Sequence, residues 1–141
     1  MKLKNSNVIA VDLDGSLADS SVVDINNYRS DIIGKPIKLM VDRVKEWISQ
    51  GIEVVIFTAR VHPTYGLAEV AIAEKAIKEW CMNIFGREFK VTCMKDPMFG
   101  EMWDDKAIRL DKDTGIVLSQ PNAEQQLPTE TDSIGEFLRI D

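Results

Sequence analysis

Asp12 and Asp14 stand two residues apart at the end of an apolar run, Val8-Ile9-Ala10-Val11, with Gly15 and Ser16 just beyond. Such a run reads as a buried parallel strand, and the carboxyl ends of such strands are where open α/β sheets place their ligands. If the strand continues, its period of two puts both acids on one side. If Gly15 starts a turn, they fan around the strand end instead. Two carboxylates beside a core repel each other, and a cation or a proton offsets that repulsion. The bland alternative is a solvated Asp-Gly turn.

Further residues decide between these readings. A second apolar run, Val54-Val55-Ile56-Phe57, ends at Thr58-Ala59-Arg60. A third strand, over 89–94, ends at Lys95-Asp96-Pro97, and Glu101-Met102-Trp103 lead into Asp104-Asp105. One sheet edge then gathers four carboxylates, a hydroxyl and an ammonium. Hard oxygen ligands in this number suit Mg²⁺, which keeps waters and substrate phosphate oxygens in its shell. Thr58 and Lys95 suit the remaining oxygens of a phosphoryl group. One carboxylate then serves as a nucleophile, and a second donates a proton to the leaving group and later takes one from water.

The elements that must position these residues follow the chain in order. Residues 18–35 are polar, without a clean apolar period, and read as a flap or loop over the end of the first strand. Pro36 suits the first turn of a helix carrying Met40, Val41, Val44, Trp47 and Ile48 on one side, which Gly51 stops. A strand over 52–57 follows, so strand, helix and strand form a right-handed crossover. A loop with Pro63 and Gly66 precedes a helix over 67–85 with Val70, Ala73, Ile77, Trp80, Cys81 and Ile84 in one stripe, closed by Gly86. Residues 107–110 and 115–118 read as a hairpin around Asp111-Lys112-Asp113-Thr114.

In domain terms, residues 1–118 form the catalytic unit and 119–141 a polar tail. Ser133-Ile134-Gly135-Glu136 has capping-box spacing for a short terminal helix, docked on the core or on a neighbouring subunit of a homo-oligomer. The net charge of −6 argues against a broad basic nucleic-acid surface but not against a local phosphate site. Cys81 and Cys93 lack metal or redox spacing and read as buried thiols in a reducing compartment. No stretch approaches a membrane span, so the chain reads as cytoplasmic with no membrane partner.

The ordered set resembles the haloacid dehalogenase superfamily of phosphohydrolases. Asp12-Leu13-Asp14-Gly15-Ser16 resembles its first motif, with Ser16 in place of the commoner Thr. Thr58 matches the second motif, Lys95 the third, and Asp104-Asp105 the fourth. Lys90 and Lys106 lie close enough in sequence to compete with Lys95. The resemblance spans about residues 7–110. It implies a three-layer α/β/α Rossmann-like fold with a central parallel sheet, in which Asp12 is nucleophile and Mg²⁺ ligand. Asp14 is then the general acid/base and lends its backbone carbonyl to the metal. Thr58 and Lys95 hold the phosphoryl oxygens, while Asp104, Asp105 or both complete the metal site.

Only 45 residues lie between Asp12 and Thr58 and 36 between Thr58 and Lys95, which leaves no room for a full cap domain. The resemblance is therefore to capless members, whose open sites admit larger phosphoesters. Val54 to Arg60 and Glu79 to Gly86 also resemble the phosphatase half of polynucleotide kinases. The expected substrate is a phosphorylated small molecule or a phosphorylated nucleic-acid end. A reading from another class is a catalytically idle scaffold that binds a partner through its acidic tail.

Arg60 reads either as a substrate phosphate contact or as an exposed arginine. His62 reads as a solvated loop residue or a substrate contact. Asp19 and Asp96 read as loop acids or as groups that tune Lys95 or the metal. Trp47 and Trp80 are expected in the core, and Trp103 as a packing residue.

Overall fold

The computed structural model describes residues 8–24 and 26–119. The terminal helix expected at Ser133, and all of the expected tail except Ser119, lie outside the described residues. The chain divides into two units, 1–104 and 105–141, so the hairpin expected within the catalytic unit belongs to the second.

The first unit is built on a parallel sheet of four strands, β1 (Val8–Asp12), β2 (Glu53–Phe57), β3 (Lys90–Thr92) and β4 (Phe99–Trp103). Their order is β3-β2-β1-β4. This is an α/β architecture of Rossmann-like type, as the alternating apolar runs and helical stripes predict. Ile9 pairs with Val54 and Val11 with Ile56, so these four side chains share one face.

Two helices connect the strands, α1 (Lys38–Ser49) and α2 (Leu67–Phe85). Met40, Val41, Val44 and Trp47 of α1, with Ile77 and Cys81 of α2, join Ile9, Val11, Val54 and Ile56 in one buried cluster. Each fully buried large apolar side chain in it, such as Ile56 or Ile77, is worth about 1.5–3 kcal/mol relative to exposure. Trp47 lies in this cluster as expected and Trp103 packs against it, whereas Trp80, expected in the core, is half-buried at its edge.

The expected three layers become two among the described residues. The steps from β1 to β2 and from β2 to β3 run in the same direction, and right-handed crossovers then drop both helices on the same face. The return from β3 to β4 uses only residues 93–98, too few for a helical crossover. Ala10 and Val55, on the other face, are nonetheless buried.

Pro36 does not enter the first turn of α1. It bridges to Ala18 two residues before the first helical position, with Ile37 as the N-cap. Gly86 ends α2 in the left-handed region at φ 75°, its N–H donating to the Met82 carbonyl.

In the second unit, β5 (Arg109–Leu110) and β6 (Val117–Ser119) form the antiparallel hairpin that the sequence predicts. Asp113 at φ 66° and Gly115 at φ 78° make its turn. The amide of Asp111 donates to the Ile116 carbonyl at 2.8 Å.

Candidate functional site

Parallel register brings the strand ends level. Asp12 pairs with Phe57, Phe57 with Thr92, and Val11 with Trp103, so Asp104 is the next residue beyond the β1–β4 pairing. Thr58 leaves the sheet directly after Phe57, its amide donating to the Thr92 carbonyl at 2.9 Å. Residues 46 and 92 positions from Asp12 in sequence thus arrive at one edge because the strands are parallel and in step.

Asp12 and Asp104 each offer a carboxylate oxygen, and the two lie within 4.8 Å of each other. Both residues are half-buried, whereas Asp105, the first residue of the second unit, is exposed. Hard anionic oxygens gathered in this way could hold a metal ion. The Ser16 hydroxyl donates to Asp12 Oδ2 at 3.3 Å, so this serine addresses the carboxylate.

A tight turn carries the chain from Asp12 to Asp14. The Leu13 carbonyl accepts from the amides of Ser16, Leu17 and Ala18, and Gly15 stands at φ 92°. Burial of Leu13, Leu17 and Ala18 roots this turn in the core. Of the two arrangements open in the sequence, the turn is the one adopted: β1 ends at Asp12, and Asp14 lies past it.

Arg60 is buried, 3% exposed, rather than the exposed arginine that one sequence reading allowed. Its Nε donates to Asp14 Oδ2 at 2.7 Å and its Nη2 to Asp14 Oδ1 at 2.9 Å. Burial alone would lower the pKa of Arg60, but the hydrogen bond and charge of Asp14 outweigh it and raise the value above the ordinary one. The Tyr28 ring covers the guanidinium at 5.3 Å from its centroid, and Tyr65 packs on Tyr28 at 5.2 Å.

The described residues of 18–35 form a loop, with a short 3₁₀ turn at Ser20–Val22. Its base is closed by the Asp19 amide donating to the Lys35 carbonyl at 2.7 Å. Its body is fastened to α2 by Ser30 Oγ donating to Glu69 Oε1 at 2.6 Å and by Trp80 Nε1 donating to the Gly34 carbonyl at 3.0 Å. The loop therefore packs on α2 and the residues that follow β2.

Thr58 is 3% exposed and its hydroxyl accepts from the Arg60 amide at 3.1 Å, which leaves its own proton to donate. Lys95 lies exposed in the connection from β3 to β4, with no hydrogen bond or ion pair to a described residue. The remaining polar candidates serve local turns. His62 Nδ1 accepts from the Thr64 amide and Asp96 Oδ1 from the Met98 amide. Asp19 accepts from the Ser21 amide, and its hydrogen bonds to Ser21 hold its pKa below the ordinary value.

Comparison with protein-family models, curated proteins and solved structures returns no match. A groove along α2, lined by Glu74, Lys78, Met82 and Glu88, shares no residue with the acids. Sequence reasoning missed Tyr28 and Tyr65. The one available signal was a pair of tyrosines, the only two in the chain, each isolated in a loop flanking a candidate acid or base.

Proposed function

We propose that the chain is a Mg²⁺-dependent phosphomonoester hydrolase with a capless core of haloacid dehalogenase type. The observation that carries this reading is the approach of Asp12 and Asp104 within 4.8 Å, with Asp14 one turn beyond and Thr58 at the neighbouring strand end. Asp12 and Asp104 would hold the cation. Bound there, it would neutralise the carboxylates and draw charge from phosphoryl oxygens.

In this mechanism an Asp12 carboxylate oxygen attacks phosphorus. The bond from phosphorus to the leaving oxygen breaks, its electron pair stays on that oxygen, and Asp14 supplies the proton. Water then attacks the aspartyl phosphate and gives a proton to Asp14, releasing inorganic phosphate and restoring Asp12. The Thr58 hydroxyl donates to a phosphoryl oxygen, and the exposed Lys95 swings in to pair with another.

The test is turnover of p-nitrophenyl phosphate with and without Mg²⁺. Mg²⁺-dependent turnover that disappears in Asp12→Asn supports the reading. Turnover that survives in Asp12→Asn, or does not need a divalent cation, refutes it. A panel of 3′-phosphorylated oligonucleotides, free nucleotides and sugar phosphates then separates a nucleic-acid end from a small molecule as substrate.

A further inference from the structure

The Arg60–Asp14 fork sits where a proton has to move, and its geometry has a consequence for that movement. A carboxyl group has about two lone-pair positions on each oxygen, and a guanidinium fork engages one on each. Nε and Nη2 of Arg60 therefore leave a second position on Oδ1 and on Oδ2, both in a plane that the guanidinium sets. A proton bound at one of these positions has a defined direction.

The guanidinium is itself fixed from several sides. The Arg60 amide donates to Thr58 Oγ1, the Tyr28 ring covers one face, and Tyr65 packs on Tyr28. Ser30, two residues beyond Tyr28, is 5% exposed and bonded to Glu69, so the segment carrying the ring is anchored to α2. The arrangement is not a product of hydrogen-bond satisfaction alone. Among the described residues, Nη1 of Arg60 and the hydroxyl of Tyr28, both buried, meet no hydrogen-bond partner of good geometry. Orientation of Asp14 is what those residues have in common.

We propose that Arg60 is a positioning residue for proton transfer by Asp14, and that Tyr28 holds Arg60 in place for it. This rests on the phosphatase reading above. The proton on the outward lone pair of Asp14 passes to the leaving oxygen as the phosphorus–oxygen bond breaks, and that oxygen keeps the bonding electron pair. The benefit depends on the leaving group. A nitrophenolate departs without a proton, whereas an alkoxide needs one.

The experiment compares p-nitrophenyl phosphate with glycerol phosphate, both with Mg²⁺, in the wild type, Asp14→Asn, Arg60→Lys and Tyr28→Ala, each with its melting curve. General-acid catalysis is worth roughly 10²–10⁴-fold, and the loss in Arg60→Lys is expected to approach that range for glycerol phosphate while staying under about tenfold for the nitrophenyl ester. Tyr28→Ala is expected to show a smaller loss with the same dependence on leaving group. Equal losses on both substrates in both folded variants, or no loss on glycerol phosphate, overturn the positioning role while leaving the phosphatase reading intact. Wild-type protein that turns over neither ester overturns both.

Discussion

The indole nitrogen of Trp80, on α2, donates to the carbonyl of Gly34, 46 residues earlier, at 3.0 Å. That bond ties the end of the 18–35 loop to the second helix. At the same point the loop passes so close to its own beginning that a Cβ on Gly34 would meet the Asp19 carbonyl oxygen at 2.0 Å.

Gly34→Ala therefore sets a side chain against backbone, which cannot swing away as a side chain would. Overpacking of this kind typically costs about 1–3 kcal/mol, and a urea melt measures it. Trp80→Phe keeps most of the ring but leaves the Gly34 carbonyl without its donor, with an expected loss of about 1 kcal/mol. Amide exchange should quicken within residues 18–35 in both variants, and protection there as strong as in the wild type would contradict this anchoring.

The acidic cluster predicts a stability that depends on metal. A cation that binds the folded chain alone adds about 2.7 kcal/mol when present at 100 times its dissociation constant. Mg²⁺ should raise the melting temperature of the wild type, and Asp104→Asn should shrink that rise by removing one of the two converging oxygens. An identical rise in both proteins would place the cation elsewhere.

Cys81 makes a separate prediction at alkaline pH. It is fully buried, and desolvation pushes its thiol from 9.0 up to about 12. The folded chain keeps that proton after the unfolded chain has lost it, so protons bound exceed those of the unfolded state between pH 9 and about 12. Stability is therefore undiminished by this group below pH 9 and falls above it, by about 1.4 kcal/mol per pH unit until the folded thiol ionises. Denaturant melts between pH 8 and 11 measure the slope. Under native conditions an alkylating reagent should label the half-buried Cys93 before Cys81.

In the core, Ile77→Ala removes a fully buried side chain from the cluster that joins α2 to the sheet. The expected loss is about 2–5 kcal/mol, depending on how far the neighbours collapse into the cavity. A matching truncation at Leu67, which is 92% exposed, should change stability by no more than about 0.5 kcal/mol.

Much of the first unit was legible in residue order alone. Apolar runs at Val8 to Val11 and Val54 to Phe57, and a stripe over Leu67–Phe85, declare strand, strand and helix because each period has one matching backbone geometry. The same runs placed Asp12 and Thr58 at strand ends, since each is the first polar residue after an apolar run. Other features depend on contacts between distant segments, which no local period encodes. Strand order and crossover hand put both helices on one face. The fork between Arg60 and Asp14 needed two turns, 46 residues apart, to meet at one sheet edge. Arginine in a loop is ordinarily solvated, and only burial beneath Tyr28 with a carboxylate in reach reverses that preference. Residue types and spacing thus determined which groups stand at the edge, while tertiary packing decided which of them face each other.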